Sequence, residues 1–431
     1  MSRSFALLIL VLSTCLAAES HAQTGCGPNV TQEGGALLVT SSGADDAPNI
    51  QCALEASADE GFGAVELVSP VYTIASQIAV DGFTGELRGR SIASTRLVIQ
   101  DGFSNCNAPN SDVLQISNGF GVTIRFMTIE VGSPCQSSSS LAVIVFSSDP
   151  SNCADRTTFG TIDRVAIRGQ GLNALDFVTG VAMSQAENCS DGVLGTLKVN
   201  RSTFDQLDQG VDSSVLGQGQ VDINFNTFTS VGVPIFIFNA NQSTTILGND
   251  IEFNNLDYGQ GETVFGRFGI LIESNAASPA SNSTTIKNNT FRNLLVNSFG
   301  IGAQVAHGGG PAIDHQVVIT GNTVRGATQG HQANDNGSGI EIINTNSGVI
   351  SANSFFGGTR DWVFVGGGPE GRPVSSWTIV ANDFSGSSAD IDLRLLGASN
   401  SVVGRSQGNP TYNDTGGSNN DILAGTQQAV P

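Results

Sequence analysis

The sequence has 431 residues, of which 39% are hydrophobic and only 13% are charged, against roughly 25% charged residues in a typical globular protein. Glycine occurs 53 times, and 38 acidic against 18 basic residues give a net charge of −20. This acidity argues against nucleic-acid binding and against docking on anionic lipid, because phosphate groups are repelled. The composition also excludes a helical bundle and a disordered chain, which leaves a glycine-rich β protein.

Residues 1–22 have the features of a secretory signal peptide. Arg3 precedes an apolar run over residues 5–12, and Ser20 and Ala22 place small residues at the −3 and −1 positions of a cleavage site. The apolar run is too short to span a bilayer, and no later segment is long and apolar enough to do so. We therefore predict a protein secreted to the extracellular space or the periplasm, without a membrane span.

Removal of the signal peptide leaves six cysteines, all in the first half of the chain: Cys26, Cys52, Cys106, Cys135, Cys153 and Cys189. An even number of cysteines in an oxidising compartment is typical of disulfide bonds rather than of metal or redox sites. Six cysteines allow about 15 pairings. We hypothesise that neighbours in sequence pair, which keeps each loop local: Cys26 with Cys52, Cys106 with Cys135, and Cys153 with Cys189.

A short pattern recurs along the second half of the chain: a β-branched strand, an asparagine, a small residue and an apolar residue. Its asparagines are 23, 40, 33, 31 and 29 residues apart, at Asn226, Asn249, Asn289, Asn322, Asn353 and Asn382. Side chains alternate along a strand, so the apolar face of each strand would fill a narrow interior. An asparagine at the same bend of every coil is expected to adopt a left-handed backbone and to hydrogen-bond its neighbours above and below. Repetition with a variable period predicts a solenoid.

A second strand follows this pattern in each coil and often begins with glycine, as at Gly210, Gly269, Gly300 and Gly339. These strands are expected to form one sheet, with their outward-facing positions in a row from coil to coil. By alternation, the row is predicted to contain Asp176, Asp212, Phe236, Leu271, Gly302, Glu341, Phe364 and Asp392.

This combination of strand, asparagine, loop and glycine-initiated strand resembles the right-handed parallel β-helix of the pectin/pectate-lyase-like superfamily. Residues 45–54, which read DDAPNIQCAL, are similar to the N-terminal opening of that superfamily. The resemblance implies an all-β protein, a single-stranded right-handed parallel β-helix (a solenoid) with a short N-terminal capping helix at about residues 45–60. Asp46 is expected to cap this helix, with Pro48 in its first turn.

The predicted organisation is a single folded domain. Residues 1–22 form the signal peptide, residues 23–405 form the β-helix domain with its N-terminal cap, and residues 406–431 form an irregular tail rich in Asn, Gly and Ser. No linker divides the β-helix, and we expect a monomer.

Superfamily members that act on glycans bind them in a groove along the outward row, which implies a polysaccharide as the partner. The predicted catalytic residues cluster around this row and are Glu341, Asp361, His331, Asp335 and Arg360. The predicted substrate-binding residues are Trp362, Tyr258, Arg267 and His307, the aromatic ones as stacking surfaces for sugar rings. Each charged residue in this set also has a simpler interpretation, a solvated position on the surface.

Two kinds of chemistry fit this set. An acid with a neighbouring carboxylate would hydrolyse a glycosidic bond, whereas His331 or an arginine would abstract the proton beside a uronate carboxylate in a lyase or epimerase. The chain lacks polygalacturonase-like and alginate-epimerase-like motifs, and its only lysines, Lys198 and Lys287, count against a lysine-based lyase. Hydrolysis is slightly favoured. The alternative is a non-catalytic solenoid that binds glycans or mediates adhesion.

No cofactor is expected to be required. The net charge of −20 disfavours a polyanionic substrate unless Ca²⁺ bridges it to carboxylates, for which Asp205, Asp208 and Asp212 are candidates. The same three residues are consistent with a solvated loop, which we favour, so Ca²⁺ stays an open alternative.

Overall fold

Within the residues that it describes, the computed structural model contains thirty-nine strands and one α-helix, α1 at Ala47–Glu60. It describes residues 25–103, 111–132, 140–147, 157–169, 177–184, 194–214, 219–238, 243–253, 267–274, 282–294, 298–305, 313–326, 338–343, 345–357, 361–366, 374–388, 391–423 and 426–427. The predicted signal peptide lies outside the described residues.

The strands follow one another closely along the chain. The first nineteen are β1 Val30–Glu33, β2 Ala36–Val39, β3 Ala64–Leu67, β4 Val71–Ile74, β5 Ile78–Asp81, β6 Glu86–Gly89, β7 Arg96–Ile99, β8 Ser111–Ser117, β9 Val122–Val131, β10 Ser140–Ser147, β11 Thr157–Arg168, β12 Phe177–Ser184, β13 Leu194–Asn200, β14 Thr203–Asp205, β15 Gln209–Ser214, β16 Gly219–Asn224, β17 Thr227–Thr229, β18 Val233–Phe238 and β19 Ser243–Leu247. The others are β20 Asp250–Glu252, β21 Arg267–Ser274, β22 Asn282–Lys287, β23 Thr290–Leu294, β24 Ser298–Val305, β25 Ile313–Thr320, β26 Thr323–Gly326, β27 Ser338–Ile343, β28 Thr345–Ser351, β29 Ser354–Gly357, β30 Asp361–Gly366, β31 Val374–Ser375, β32 Trp377–Val380, β33 Asp383–Ser387, β34 Ile391–Leu396, β35 Ala398–Ser399, β36 Val402–Val403, β37 Thr411–Thr415, β38 Asp421–Ile422 and β39 Thr426–Gln427.

Within the described residues, the strands form a sheet of 24 strands, a sheet of 13 strands and a two-stranded ladder. A typical coil contributes β16 and β17 to the larger sheet and β18 to the thirteen-stranded sheet, and each pairs in parallel with its equivalent one coil on. Among the described strand pairs, β1 with β2 is the antiparallel exception. The fold predicted from the sequence, an all-β right-handed parallel β-helix, is confirmed.

The helix α1 packs at the N-terminal end of the coils, against β2, β3 and β5. Ile50, Ala53 and Leu54 on its inner face are buried, and Pro48 lies in its first turn as predicted. A solenoid needs such a cap because the apolar interior of its terminal coil is otherwise open to water.

Two aspartates before α1 tie the helix to the first coil. Asp46 holds the N-cap position but makes no side-chain hydrogen bond to the helix, and the N–H of Ala47 donates to Oδ1 of Asp45 at 3.1 Å instead. The carboxylate of Asp46 accepts the N–H of Ser42 at 2.6 Å and that of Thr73 at 2.9 Å. The predicted capping bond of Asp46 is therefore wrong, because its buried oxygens face the preceding loop and β4 rather than the helix.

The repeated asparagines form a buried ladder between coils. From Asn226 to Asn353, the backbone N–H and the side-chain amide of each residue both donate to Oδ1 of the next asparagine, at 2.9–3.0 Å. The predicted contacts are thus confirmed. The left-handed backbone, however, belongs to the residue before each asparagine, with φ from 54° to 68°: Phe225, Gly248, Asn288, Gly321, Ala352 and Ala381. The asparagine side chain points inward, where its amide forms hydrogen bonds with backbone groups that have no strand partner at the bend.

Inward side chains of successive coils stack into a continuous apolar core. The rings of Phe204 and Phe228, for example, lie parallel with centroids 4.9 Å apart. Gly180, Gly210 and Gly339, near the start of strands in the thirteen-stranded sheet, face such rings, since a Cβ on each would lie 2.7–2.9 Å from an aromatic carbon. Glycine is therefore required at this corner for space, and it sets where the outward row begins.

The C-terminal segment 406–431 differs from the prediction. Its strands β37, β38 and β39 pair in parallel with β34, β36 and β37, so its described residues, 406–423 and 426–427, continue both long sheets instead of forming an irregular tail. Asn420 accepts the N–H of Ser401 at 3.0 Å and donates to the carbonyl of Ala398 at 2.8 Å, as the ladder asparagines do. These short strands were not predicted from the sequence, because their residues are mostly polar and do not alternate with apolar ones.

One predicted disulfide lies within the described residues and is confirmed. Cys26 and Cys52 are bonded, with Cα atoms 5.6 Å apart, which attaches the segment before β1 to α1. The other four cysteines lie outside the described residues: Cys106, Cys135, Cys153 and Cys189. In the part of the chain that the structure describes, no helix is long and apolar enough to cross a membrane.

Candidate active site

The outer face of the thirteen-stranded sheet carries the predicted row. Successive Cα partners are Asp212, Phe236, Leu271, Gly302, Glu341 and Phe364, which confirms this part of the row. Ile340 and Ile342 are fully buried in the core, so Glu341 between them points outward. In β12 the row position is Ala182, and the predicted member Asp176 lies outside the described residues.

Beyond Phe364, the row continues to Arg394 and then to Asn413. The predicted position in β34, Asp392, is therefore wrong by two residues. Asp392 is buried, and its carboxylate accepts the hydroxyl of Ser387 and the backbone N–H of Thr411. This change of register places a cation, Arg394, in the row. The sequence did not predict it because β34 has no glycine at its start to mark the register.

Three charged groups, Glu341, Asp361 and Arg394, lie on the neighbouring strands β27, β30 and β34. Nη1 of Arg394 lies 3.4 Å from Oδ2 of Asp361, and the two side chains are 16% and 5% exposed. Burial raises the pKa of the Glu341 carboxyl to about 7, and the negative charge of Asp361 adds to the rise. Burial has this effect because removing a carboxylate from water disfavours its charged form. Glu341 thus keeps its proton to near-neutral pH, beside a carboxylate that faces a cation.

The structure places Trp362, expected to stack on sugar, in the core. Its ring is fully buried, 5.3 Å from the ring centroid of Phe355, and its indole N–H donates to Oγ of Ser387 at 2.9 Å. Trp362 occupies the corner position that Gly339 holds one coil earlier. Simple alternation fails there because the chain bends, which turns the side chain inward and leaves no ring face open to solvent.

Most of the other predicted site residues lie outside the described residues: His331, Asp335, Arg360, Tyr258 and His307. Arg267 begins β21, but its side chain is also outside the described part of the structure. Of the nine predicted site residues, the described structure therefore places Glu341 and Asp361 on adjacent coils, close enough for the charge of Asp361 to raise the pKa of Glu341, and it adds Arg394.

The three candidate calcium ligands are held by different parts of the coil. Asp205 ends β14 in the larger sheet, where burial raises the pKa of its carboxyl and Arg168 opposes the rise. Asp208 accepts the N–H of Val178 at 2.7 Å, and Asp212 lies in the outward row. Among the residues with described positions, no group of three His, Cys, Asp or Glu side chains is arranged to hold a metal ion.

No family model and no curated protein matches the chain, but several solved structures are similar. The A-module of the Azotobacter vinelandii mannuronan C-5 epimerase AlgE6 is 12% identical, with a TM-score of 0.38 over 90% of this chain and 96% of that chain. PfbA, a surface adhesin of Streptococcus pneumoniae, is 12% identical, with a TM-score of 0.36 over 90% of each chain. The catalytic domain of a GH87 alpha-1,3-glucanase in complex with nigerose is 11% identical, with a TM-score of 0.37 over 91% of this chain and 68% of that chain.

Proposed function

We propose that this chain is a glycoside hydrolase acting on an extracellular polysaccharide, with Glu341 as the general acid and Asp361 as its partner. The observation that carries the proposal is the outward-facing Glu341 carboxyl, whose pKa is raised to about 7, beside Asp361. Glycoside hydrolysis requires one carboxyl group that is protonated at the working pH and a second that is ionised. Arg394 supplies a positive charge 3.4 Å from that second group.

In the proposed reaction, Glu341 donates its proton to the glycosidic oxygen as the bond to the anomeric carbon breaks. Asp361 acts from the other side of the sugar, as the nucleophile or as the base that activates water, and its charge stabilises the oxocarbenium-like transition state. Arg394 acts through Asp361 and is a positioning residue. Retention or inversion of configuration in the product, read by NMR, distinguishes a nucleophile from a base.

The described site favours hydrolysis over elimination. A lyase needs a base for the proton beside a uronate carboxylate and a cation that neutralises this carboxylate. The described cation at the site, Arg394, already faces Asp361, so it is not available to neutralise a uronate carboxylate.

The test is an activity screen of the mature protein against a polysaccharide panel, with and without Ca²⁺. Reducing ends and the absorbance of unsaturated products are read in parallel, and hydrolysis gives the first without the second. Glu341→Gln and Asp361→Asn should lose the activity, whereas Glu273→Gln, which removes an outward carboxylate two coils away, should keep it. If no polysaccharide is cut while glycans are still bound, the hydrolase proposal fails and a binding solenoid replaces it.

We also propose that the protein is exported after removal of residues 1–22. The Cys26–Cys52 disulfide supports an oxidising compartment, since such bonds are rare in the cytosol. Expression in a secreting host should release a chain whose N-terminal sequence begins at Gln23, and retention of residues 1–22 would contradict the proposal.

A further inference from the structure

An apolar strip lies beside Glu341 on the outer face of the thirteen-stranded sheet. Ile343, Gly366 and Leu396 are successive Cα partners on three coils, two residues further along their strands than the row of Glu341, Phe364 and Arg394. Ile343 and Phe364 are half-buried, and Leu396 is 41% exposed. On these three coils, Glu341 and Arg394 thus lie two residues before the apolar strip along the strand direction.

Phe364 lies flat on this strip because Gly366 leaves room for it. A Cβ on Gly366 would lie 2.8 Å from Cζ of Phe364 and 3.1 Å from Cε1, so the ring occupies the space of the missing side chain. The ring therefore points along its strand, away from Asp361 at the other end of β30, and fills the strip between Ile343 and Leu396. We call these three side chains the apolar platform.

The platform is close enough to Glu341 to hold the sugar on which it acts. Phe364 is the Cα partner of Glu341 on the next coil, about 4.8 Å away, and Ile343 is two residues, or about 7 Å, further along the same strand. Pyranose rings have an apolar face of C–H groups and commonly stack on aromatic rings. A sugar ring on the platform would carry its glycosidic oxygen towards the Glu341 carboxyl.

The charges around the platform disfavour an acidic sugar. The described acidic groups near it are Glu341, which keeps its proton to near-neutral pH, and the buried Asp361, whose carboxylate already faces the cation Arg394. A uronate or sulfate group placed here would meet no unpaired cation among the described residues, which costs free energy in a partly desolvated groove. An uncharged sugar carries no such cost.

We propose that Ile343, Phe364 and Leu396 form a stacking platform for an uncharged pyranose unit, so that the substrate is a neutral polysaccharide. This inference rests on the proposed function, because it places the unit beside the proposed general acid. It predicts binding through apolar contact rather than through charge, and therefore an affinity that barely depends on salt.

Binding is measured on the full mature chain with Glu341→Gln, so that probes stay intact. The neutral probes are soluble xylan, galactomannan and mixed-linkage glucan, and the acidic probes are polygalacturonate and alginate, each by affinity electrophoresis and calorimetry. A neutral probe should bind with an affinity that changes less than about twofold between low and physiological salt. Adding Phe364→Ala should weaken binding about tenfold, which corresponds to about 1.4 kcal/mol of lost contact.

Two further variants keep the test independent of misfolding. Gly366→Ala places a Cβ 2.8 Å from the far end of the Phe364 ring and 3.1 Å from the carbonyl oxygen of Leu396, so it should displace the ring and weaken binding, while a cooperative melting curve shows that the fold persists. Phe225→Ala is the matched control, because Phe225 is 59% exposed and its ring lies over Gly248 on the other sheet. This control should bind as the parent does.

The possible outcomes separate this inference from the proposed function. Suppose that a neutral glycan binds through Phe364 but is not cleaved by the protein with Glu341 intact. This result supports the platform and contradicts the proposed hydrolase. Cleavage of polygalacturonate or alginate, with Phe364→Ala as active as the parent, supports an enzyme and overturns the platform. Absence of binding to every neutral probe also overturns it.

Discussion

Arg394 reaches back across one strand to Asp361, and its Nη1 lies 3.4 Å from Oδ2 of that carboxylate. Glu341, one coil before Asp361, has no such cation among its described neighbours, and the pKa of its carboxyl is raised to about 7 by burial and by the charge of Asp361. Two carboxyl groups that begin with similar chemistry are therefore placed in different electrostatic environments. Such a difference is what allows one group to act as an acid while the other stays ionised.

The activity of the protein is expected to fall as the pH rises above about 7, because Glu341 then loses the proton that it has to donate. Glu341→Gln should reduce kcat by roughly 10²–10⁴-fold, the usual contribution of a general acid. The measurement is kcat/KM against pH on the polysaccharide identified in the screen. A descending limb that survives in Glu341→Gln, relative to the Glu273→Gln control, would assign the acid to another residue.

Glu341 should also make the folded state less stable as the pH rises. Between its ordinary value of 4.5 and about 7, Glu341 is protonated in the folded chain and ionised in the unfolded chain. The unfolded state then binds fewer protons, so the free energy of unfolding decreases with pH across this window and levels off above it. The loss amounts to at most about 3 kcal/mol, since one pKa unit corresponds to about 1.4 kcal/mol.

Urea unfolding of the wild type and of Glu341→Gln at several pH values isolates this contribution. The difference between the two curves is the useful quantity, because other groups titrate in the same range: burial raises the pKa of Asp112 to about 6. The advantage of Glu341→Gln should grow from pH 4.5 to pH 7. A difference that does not change with pH contradicts the burial of a proton at Glu341.

Replacement of Arg394 by methionine is expected to destabilise the fold by about 3 kcal/mol, because it leaves the Asp361 carboxylate buried without the cation beside it. Asp361→Asn should cost less in the Arg394→Met background than in the wild type. A double-mutant cycle on chemical unfolding measures this coupling, and Arg405→Met, at an exposed position, is the control. Additive effects would show that the ion pair does not contribute.

The repeat made most of the fold and part of the site predictable from sequence. The asparagines reveal the coils because the bend needs an amide at one register, and the glycines fix the start of the strands because aromatic rings leave no room for a Cβ. Counting from Gly339 places Glu341 correctly on the outer face. The same alternation rule extended the row from Asp212 to Phe364.

The other features of the site could not be predicted because they lie where the repeat loses its glycine. β30 and β34 have Trp362 and Asp392 at the corner where earlier coils have glycine, so the register had no marker and Arg394 was overlooked. The buried position of Trp362 follows from the bend of the chain, which alternation does not describe. The pKa of Glu341 was also beyond the sequence, because it depends on burial and on the approach of Asp361 across coils.

Removal of one rung from the asparagine ladder should cost more than an ordinary surface substitution. The Asn289 side chain accepts two hydrogen bonds from Asn249 and donates to Ile246 and Asn322, at 2.9–3.0 Å. Asn289→Ala leaves these buried groups unpaired, and we expect a loss of about 3–5 kcal/mol. The control is Asn288→Ala, at the exposed neighbouring residue, which should cost about 1 kcal/mol, the strain of alanine in the left-handed backbone that it also adopts at the equivalent position of other coils.

Thermal and urea unfolding of both variants provide the measurement. Equal losses for Asn289→Ala and Asn288→Ala would show that the ladder does not stabilise the coils and that the strained bend carries the cost instead.

Ser387 links the buried indole of Trp362 to Asp392, and its removal should loosen the strand that carries Asp361. Oγ of Ser387 accepts the indole N–H at 2.9 Å and donates to Asp392. Ser387→Ala leaves a buried N–H without this acceptor and the carboxylate without one donor, so we expect a loss of about 2–4 kcal/mol. Ser399→Ala, which removes two exposed hydrogen bonds, one with the hydroxyl of Ser418 and one from its backbone N–H, should cost little.

Tryptophan fluorescence tests whether this link also positions Trp362. The chain has two tryptophans, so a Trp377→Phe background isolates the emission of Trp362 beside Asp361. Ser387→Ala should shift this emission and lower kcat, whereas Ser387→Thr, which keeps a hydroxyl at the same place, should restore both. A displaced Asp361 would change kcat even if the indole of Trp362 stayed shielded from water and its emission did not shift. If stability falls while emission and kcat both stay unchanged, the Ser387 hydroxyl holds β33 to β34 without affecting the site.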